Sequence, residues 1–197
     1  MTPSMRLAKS DDMANSDEGR NWRDELLKRY RNLFVAPHED LSTTSGYPTV
    51  DDGWRDLLEK ACARIAQALS LEPGGVVRVR QIKEKFGTLR FYYGTKNLSD
   101  KTKKAVELAV DLAEARSKCT CEVCGNEGDL YDKDGYIMTR CPDHAEGDPV
   151  RSPPGWKYLT VVHVYSGDKV VLQCRRYDRA TDSLVEVDPR DVSDLEE

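Results

Sequence analysis

The chain has 197 residues, which is enough for one ordinary domain or two small ones, and 33% of them are charged. It has no run of about 18 apolar residues, and its start lacks the apolar core of a signal peptide, so we expect a cytoplasmic protein without a membrane span. The net charge of −5 does not indicate a general nucleic-acid-binding protein.

The first part of the chain is predicted to be helical. Residues 1–16 are polar and predict a disordered tail, and residues 17–118 predict a helical α+β region. Apolar residues at helical spacing predict helices over 17–34 and about 52–71. The first helix carries an apolar stripe of Trp22, Leu26, Tyr30 and Leu33. We interpret this stripe as core, with a docking face as the alternative.

A β-hairpin over residues 76–93 is predicted next, from strands 76–83 and 88–93. Basic and aromatic residues are interleaved along it: Arg78, Arg80, Lys83, Lys85, Arg90 and Tyr92. Basic groups bind phosphates and aromatic rings stack on bases, so the hairpin predicts a nucleic-acid-binding surface. A sheet with one buried and one solvated face is the alternative.

Strand alternation predicts which hairpin residues share a face. If Val77 and Val79 face the core, the opposite face holds Arg78, Arg80 and Ile82. On the partner strand, Arg90 and Tyr92 share a face in the same way. The predicted surface therefore presents three arginines and one tyrosine.

The segment 119–146 predicts a zinc module that follows a third helix over about 100–118. Two residues separate Cys121 from Cys124, two separate Cys141 from His144, and 16 lie between the pairs. Two close pairs on a longer connection are typical of tetrahedral zinc sites, and four protein ligands leave no open position. The hairpin turn at 132–135 between the pairs favours a zinc-ribbon or treble-clef layout, with the second pair at a short helix start.

The other cysteines and His163 are not predicted to be ligands. Cys119 could replace Cys121, but Cys121 gives the two-residue spacing of a knuckle, so we interpret Cys119 as a spare thiol. Cys62 and Cys174 are interpreted as packed apolar residues. His163 lies without a nearby carboxylate or Cys and is interpreted as structural.

The remaining segments complete an α+β fold: helices on a hairpin or small sheet, the zinc module, and a C-terminal β domain. Residues 147–155 predict a linker and 156–193 a C-terminal domain of short strands, either an SH3-like barrel or an added sheet. Residues 194–197 predict a solvated acidic tail.

Charge is uneven along the chain. Residues 76–120 carry 11 Lys and Arg against 5 Asp and Glu, whereas residues 121–150 carry 2 against 8. The basic segment favours nucleic acid as the partner, and the acidic zinc segment favours a protein.

Two stretches together carry a resemblance. The run QIKEKFGTLRFYYG, followed by a helix and then CEVCGNEGDL and TRCPDHA, resembles a family of small uncharacterised zinc-ribbon proteins of bacteriophages and bacterial accessory genomes. The resemblance covers roughly residues 50–145. It implies a cytoplasmic protein with zinc on Cys121, Cys124, Cys141 and His144, and it implies no activity.

Enzyme classes lack their required residues. An HNH nuclease needs a catalytic histidine beside further histidine or asparagine metal ligands, and a zinc deaminase needs a His-x-Glu motif before a Pro-Cys-x-x-Cys motif. The chain has neither arrangement and no phosphate-binding glycine loop. We therefore predict a non-catalytic, zinc-stabilised protein that contacts nucleic acid, without a small-molecule substrate. A protein-binding adaptor or phage-encoded inhibitor of a host complex is the alternative.

Overall fold

The computed structural model describes residues 14–166 and 169–192 and has a mixed α and β architecture. The helices are α1 (Ala14–Arg29), α2 (Arg31–Phe34), α3 (Arg55–Ser70) and α4 (Asp100–Ser117), with 3-10 turns at Leu41–Thr43, Asp52–Trp54 and Pro189–Asp191. None of these helices is both long and apolar enough to cross a bilayer. The predicted tails fall largely outside this description, which leaves out residues 1–13 and 193–197.

The described strands form three separate sheets of three strands each. The strands are β1 (Pro48–Thr49), β2 (Val76–Lys85), β3 (Thr88–Lys96), β4 (Asp129–Lys133), β5 (Tyr136–Arg140), β6 (Asp148–Pro149), β7 (Leu159–Ser166), β8 (Lys169–Asp178) and β9 (Ser183–Val187). The sheet orders are β1-β2-β3, β5-β4-β6 and β7-β8-β9, and every pairing is antiparallel except that of β1 with β2.

The main core lies between the helices and one face of the β2–β3 hairpin. The stripe predicted on the first helix is core, since Trp22, Leu26 and Leu33 are at most 3% exposed. The predicted single helix is divided at Tyr30, so that α2 turns towards β2. The residues that complete this core come from α3, α4 and the hairpin: Leu57, Leu58, Ile65, Val77, Val79, Ile82, Leu89, Phe91 and Val106.

A β-bulge at Arg80 changes the predicted faces of the hairpin. Val79 lies opposite Tyr93 and Gln81 lies opposite Tyr92, so Arg80 is an extra residue in β2. The extra residue reverses the alternation. Ile82 is therefore fully buried on the same face as Val79, and the prediction that it shares a face with Arg78 and Arg80 is wrong.

Helix α4 closes the free edge of this sheet. The N–H of Leu89 donates to Ser117 Oγ at 2.8 Å, and the N–H of Phe91 donates to Glu114 Oε1 at 3.0 Å. These bonds satisfy edge donors that would otherwise be free to pair with another strand. They also fix the end of α4, from which the chain enters residues 119–146, which we call the metal-binding segment after the zinc module predicted there.

Two hairpins of the molecule share one turn geometry. Phe86-Gly87 joins β2 to β3 with φ of 54° and 70°, and Asp134-Gly135 joins β4 to β5 with φ of 54° and 87°. Both are two-residue loops, because Lys85 pairs with Thr88 and Lys133 pairs with Tyr136. Two positive φ values in a two-residue loop define a type I′ turn, which favours Asn-Gly or Asp-Gly.

The C-terminal sheet packs on the end of α4. Its strands form an up-and-down sheet in the described residues, and Tyr177 packs with Leu112, Ala115 and Cys119. Part of the segment predicted as a linker is structured, because Asp148–Pro149 pairs with β4. The metal-binding segment is thus held between the helical core and the C-terminal sheet.

Candidate metal centre

Four side chains converge on one point between the β4–β5 hairpin and the end of α4. The ligand atoms of Cys121, Cys124, Cys141 and His144 all lie within 4.8 Å of one another and could hold a metal ion. The Cys124 and Cys141 sulfurs are 3.6 Å apart, and His144 Nδ1 is 3.7 Å from the Cys121 sulfur.

The separations of 3.6 and 3.7 Å fit a tetrahedral site. Two thiolates bound to zinc at about 2.3 Å lie about 3.8 Å apart, and a thiolate and an imidazole nitrogen lie slightly closer. Three sulfurs and one nitrogen are donors that zinc accepts, and four protein ligands would complete its coordination shell. A metal held in this way would stabilise the local fold and would leave no position for a substrate.

A tight turn positions the first pair of ligands. The N–H of Gly125 donates to the Cys121 carbonyl at 2.9 Å, and Gly125 has a φ of +80°, as expected for a knuckle. Burial raises the pKa of the Cys121 thiol, but hydrogen bonds from the backbone N–H groups of Cys141, Cys124 and Val123 outweigh it and lower the pKa to about 7. The backbone therefore favours the thiolate that a metal requires.

The second pair follows directly after β5. The N–H of His144 donates to the Cys141 carbonyl at 3.0 Å, which places both side chains on the same side of one turn. The predicted helix start is this single turn and does not continue as a helix. One turn is sufficient to bring His144 Nδ1 within 3.2 Å of the Cys141 sulfur.

The remaining cysteines lie away from the centre. Cys119 is fully buried beside Tyr177, and burial raises the pKa of its thiol. Cys62 is fully buried in the main core, where burial raises its pKa to about 12, and Cys174 is 2% exposed. Their packing agrees with the interpretation of Cys62 and Cys174 as apolar core residues.

A loop far away in sequence supports the knuckle from one side. The N–H of Gly53 donates to the Glu122 carbonyl at 2.7 Å, and the indole N–H of Trp54 donates to the Thr120 carbonyl at 2.8 Å. A Cβ on Gly53 would lie 2.3 Å from the Cys121 carbonyl oxygen, so the approach requires glycine. Sequence analysis missed this contact, although a Gly between Asp52 and a helix start is an available signal.

The turn between β8 and β9 supports the knuckle from the other side. The Arg179 guanidinium donates to the Cys119 carbonyl at 2.7 Å, to Thr120 Oγ1 at 3.1 Å and to the Gly125 carbonyl at 3.4 Å. Asp182 in the same turn forms an ion pair with Arg64 of α3 at 2.8 Å. The sequence contains no local pattern that would predict these contacts.

A buried ion pair lies next to the ligands. Arg140 Nη1 is 3.1 Å from Glu122 Oε2, and the two side chains are 13% and 7% exposed. Burial raises the pKa of Glu122, while the N–H of Asp51 and the Arg140 guanidinium act in the opposite direction. The pair connects the knuckle to β5 and to the loop before α3, and it lines an open polar cleft together with Lys83 and Tyr136.

The β2–β3 turn touches the metal-binding segment directly. Thr139 Oγ1 of β5 donates to the Gly87 carbonyl at 2.5 Å. A Cβ on Gly87 would lie 2.6 Å from Leu130 Cδ2 and 3.1 Å from the Met138 carbonyl carbon. The β2–β3 turn and the β4–β5 hairpin therefore form opposite sides of one interface.

The residues predicted to bind nucleic acid are distributed differently from the prediction. Arg78 donates to the carbonyls of Asn32, at 2.9 Å, and Val35, so its guanidinium holds the end of α2. Arg80 lies across Gly94 and is exposed. Arg90 is half-buried and donates to the Leu89 carbonyl at 3.1 Å.

The lysines of the hairpin stand beside aromatic rings. Lys83 Nζ is 5.6 Å from the ring centroid of Tyr92, and Lys85 Nζ is 5.1 Å from that of Phe86. Both distances allow a cation–π contact. We call the solvent-facing side of the hairpin the outer face, and it comprises Arg80, Gln81, Lys83, Lys85, Arg90 and Tyr92.

Comparison with known proteins adds no assignment: no protein-family model matches the chain, and no curated protein or solved structure does so either. The residues of the metal centre and of the outer face are therefore the basis for a functional proposal.

Proposed function

We propose that the protein is a non-catalytic, zinc-stabilised binding protein that contacts nucleic acid through the outer face. The observation that carries the proposal is the grouping of Arg80, Lys83 and Lys85 with the exposed ring of Tyr92. Cationic groups beside an aromatic ring suit a phosphate backbone with an adjacent base. Arg78 is excluded from this surface because its guanidinium is engaged with α2.

The proposed metal is zinc, and its proposed role is structural. Elemental analysis of freshly reduced protein should give about one zinc per chain. Replacing Cys121 by Ser should remove the metal, and replacing Cys119 by Ser should leave it, because the Cys119 side chain packs against Tyr177. Metal loss in the Cys119→Ser protein with retention in the Cys121→Ser protein would contradict the proposed ligand set.

Fluorescence anisotropy with labelled oligonucleotides at several salt concentrations tests the nucleic-acid proposal. A triple variant with Arg80, Lys83 and Lys85 changed to Gln should weaken binding. Its log–log salt slope should fall by about 2, since each phosphate contact contributes about 0.7 for single strands. A matched triple variant removes the same charge from α4, where the exposed residues Lys101, Lys103 and Lys104 become Gln.

The matched variant should bind like the parent. Equal losses in both triple variants would show a non-specific effect of net charge, and a parent that binds no oligonucleotide would exclude the proposal. Both results would be interpreted with metal content measured in the same samples, so that unfolding is not mistaken for loss of contact.

A protein partner is the second candidate, and the acidic metal-binding segment favours it. Asp129, Asp134 and Asp143 are exposed there. Capture of a bacterial protein that resists nuclease treatment, and that the Lys and Arg variant retains, would support an adaptor or an inhibitor of a host complex. Capture that nuclease abolishes would support nucleic acid.

A further inference from the structure

The tip of the β2–β3 hairpin carries a residue that local folding rules do not favour. Phe86 has a φ of +54°, and 65% of its surface is exposed. A bulky residue rarely adopts a positive φ, and a type I′ turn favours Asn or Asp at this position. A large exposed ring held in an unfavourable backbone conformation is typical of a residue with a role in binding.

The surroundings of Phe86 are cationic and aromatic. Lys85 Nζ is 5.1 Å from the Phe86 ring centroid, and two residues earlier Lys83 Nζ is 5.6 Å from the Tyr92 ring centroid. The outer face and the adjoining turn thus hold two pairs of a cation and a ring in succession. Each pair can offer a charge to a phosphate and a flat surface to a base.

The spacing of the two pairs indicates which nucleic acid fits. Tyr92 pairs with Gln81 and Phe86 lies just beyond Lys85, so about five strand residues, or roughly 16 Å, separate the two aromatic residues along the hairpin. Bases in a duplex strand follow one another every 3.4 Å or so and are already stacked. Rings at the larger spacing need bases that are separated and unpaired. We propose that the protein binds single-stranded nucleic acid, with one base stacked on Phe86 and another base of the same strand on Tyr92.

This inference rests on the proposed function and adds the substrate class and a specific residue. The hairpin turn can be changed without disturbing the fold, because Asn-Gly is the preferred type I′ sequence. Phe86→Asn therefore removes the ring and keeps the backbone. Leu71→Asn is the matched control, since Leu71 is 77% exposed in the loop at the end of α3.

Anisotropy would be measured with 12-nucleotide single strands of DNA and of RNA, with a hairpin duplex of the same sequence, and with a single strand of abasic sites. The parent should prefer the single strands to the duplex, and the DNA and RNA arms report which sugar is preferred. Phe86→Asn should weaken binding to the single strands about tenfold, with no further loss on the abasic strand, where the parent has no base to stack.

The outcomes separate the two proposals. Equal affinity of the Phe86→Asn variant and the parent for single strands would overturn the stacking role, even if the Lys and Arg variant still binds weakly. A parent that prefers the duplex would overturn the substrate class. A parent that binds neither nucleic acid would remove the proposed function itself, and Leu71→Asn should match the parent throughout.

Discussion

The β2–β3 and β4–β5 hairpins form the same type of turn from different residues. Asp134-Gly135 uses the residues that a type I′ turn favours, and a Cβ on Gly135 would meet no atom within 4 Å. Phe86-Gly87 puts a bulky ring where Asn or Asp is preferred, and its glycine lies against Leu130 and β5. The Asp134-Gly135 turn faces solvent, whereas the Phe86-Gly87 turn has a buried glycine and an exposed aromatic residue.

The difference shows that glycine can be required in one turn type for two separate reasons. Positive φ explains both glycines. Close packing explains Gly87 in addition, because a Cβ at this position would lie 2.6 Å from Leu130 Cδ2. Neither requirement explains Phe86, and that residue is where a binding role is proposed.

Metal removal is expected to have the largest effect on local stability. It should also show the clearest difference in hydrogen-exchange protection between the two hairpins. Structural zinc contributes roughly 10–16 kcal/mol of apparent binding free energy in isolated fingers. The β4–β5 hairpin depends on the ligands at both of its ends, whereas the β2–β3 hairpin packs on the main core. Chelation should therefore remove hydrogen-exchange protection over 119–145 first.

Protection in β2 should persist under the same chelator. The contacts of Gly53 and Gly87 with the metal-binding segment predict an intermediate loss at these two turns. Simultaneous loss of protection across the main core would show that the two hairpins form one cooperative unit.

Glycine substitutions compare the two turns directly. Gly135→Ala should lower the free energy of unfolding by about 1–2 kcal/mol, because it adds only the cost of a positive φ. Gly87→Ala adds a steric overlap with Leu130 and Met138, so its cost should reach about 3 kcal/mol or more. Urea unfolding measures both values, and equal costs would contradict the close packing at Gly87.

A single hydrogen bond between the hairpins can be removed next. Thr139→Val keeps the shape of the side chain and leaves the Gly87 carbonyl without its donor. The bond is buried and 2.5 Å long, so the free energy of unfolding should fall by about 1–3 kcal/mol. Thr160→Val in the C-terminal sheet is the matched control. It also removes a hydroxyl that accepts a hydrogen bond, from the half-buried Lys118, but this bond does not join the two hairpins.

The smallest effects come from exchanging the first residue of each turn. Phe86→Asn should raise the free energy of unfolding by about 0.5–1 kcal/mol, because Asn adopts a positive φ more easily. Asp134→Phe should lower it by a similar amount, and it also loses no buried contact, since Asp134 is exposed. A destabilising effect of Phe86→Asn would show that the ring contributes to the fold, and would contradict a role of the ring in binding alone.

The sequence by itself determined the features that depend on residues close together along the chain. Helical periodicity predicted α3 and α4, and the spacing of Cys121, Cys124, Cys141 and His144 predicted the group of ligands. Turn chemistry predicted the Asp134-Gly135 hairpin. Such patterns are reliable because backbone geometry fixes the distance between residues a few positions apart.

The tertiary structure decided what depends on residues far apart in sequence. The bulge at Arg80 buries Ile82, and the carbonyls at the end of α2 engage Arg78. The knuckle is supported by Gly53, which precedes it in the sequence, and by Arg179, which follows it. A bulge leaves the local composition unchanged, and a guanidinium binds whichever carbonyl the fold brings near, so neither feature can be read from spacing.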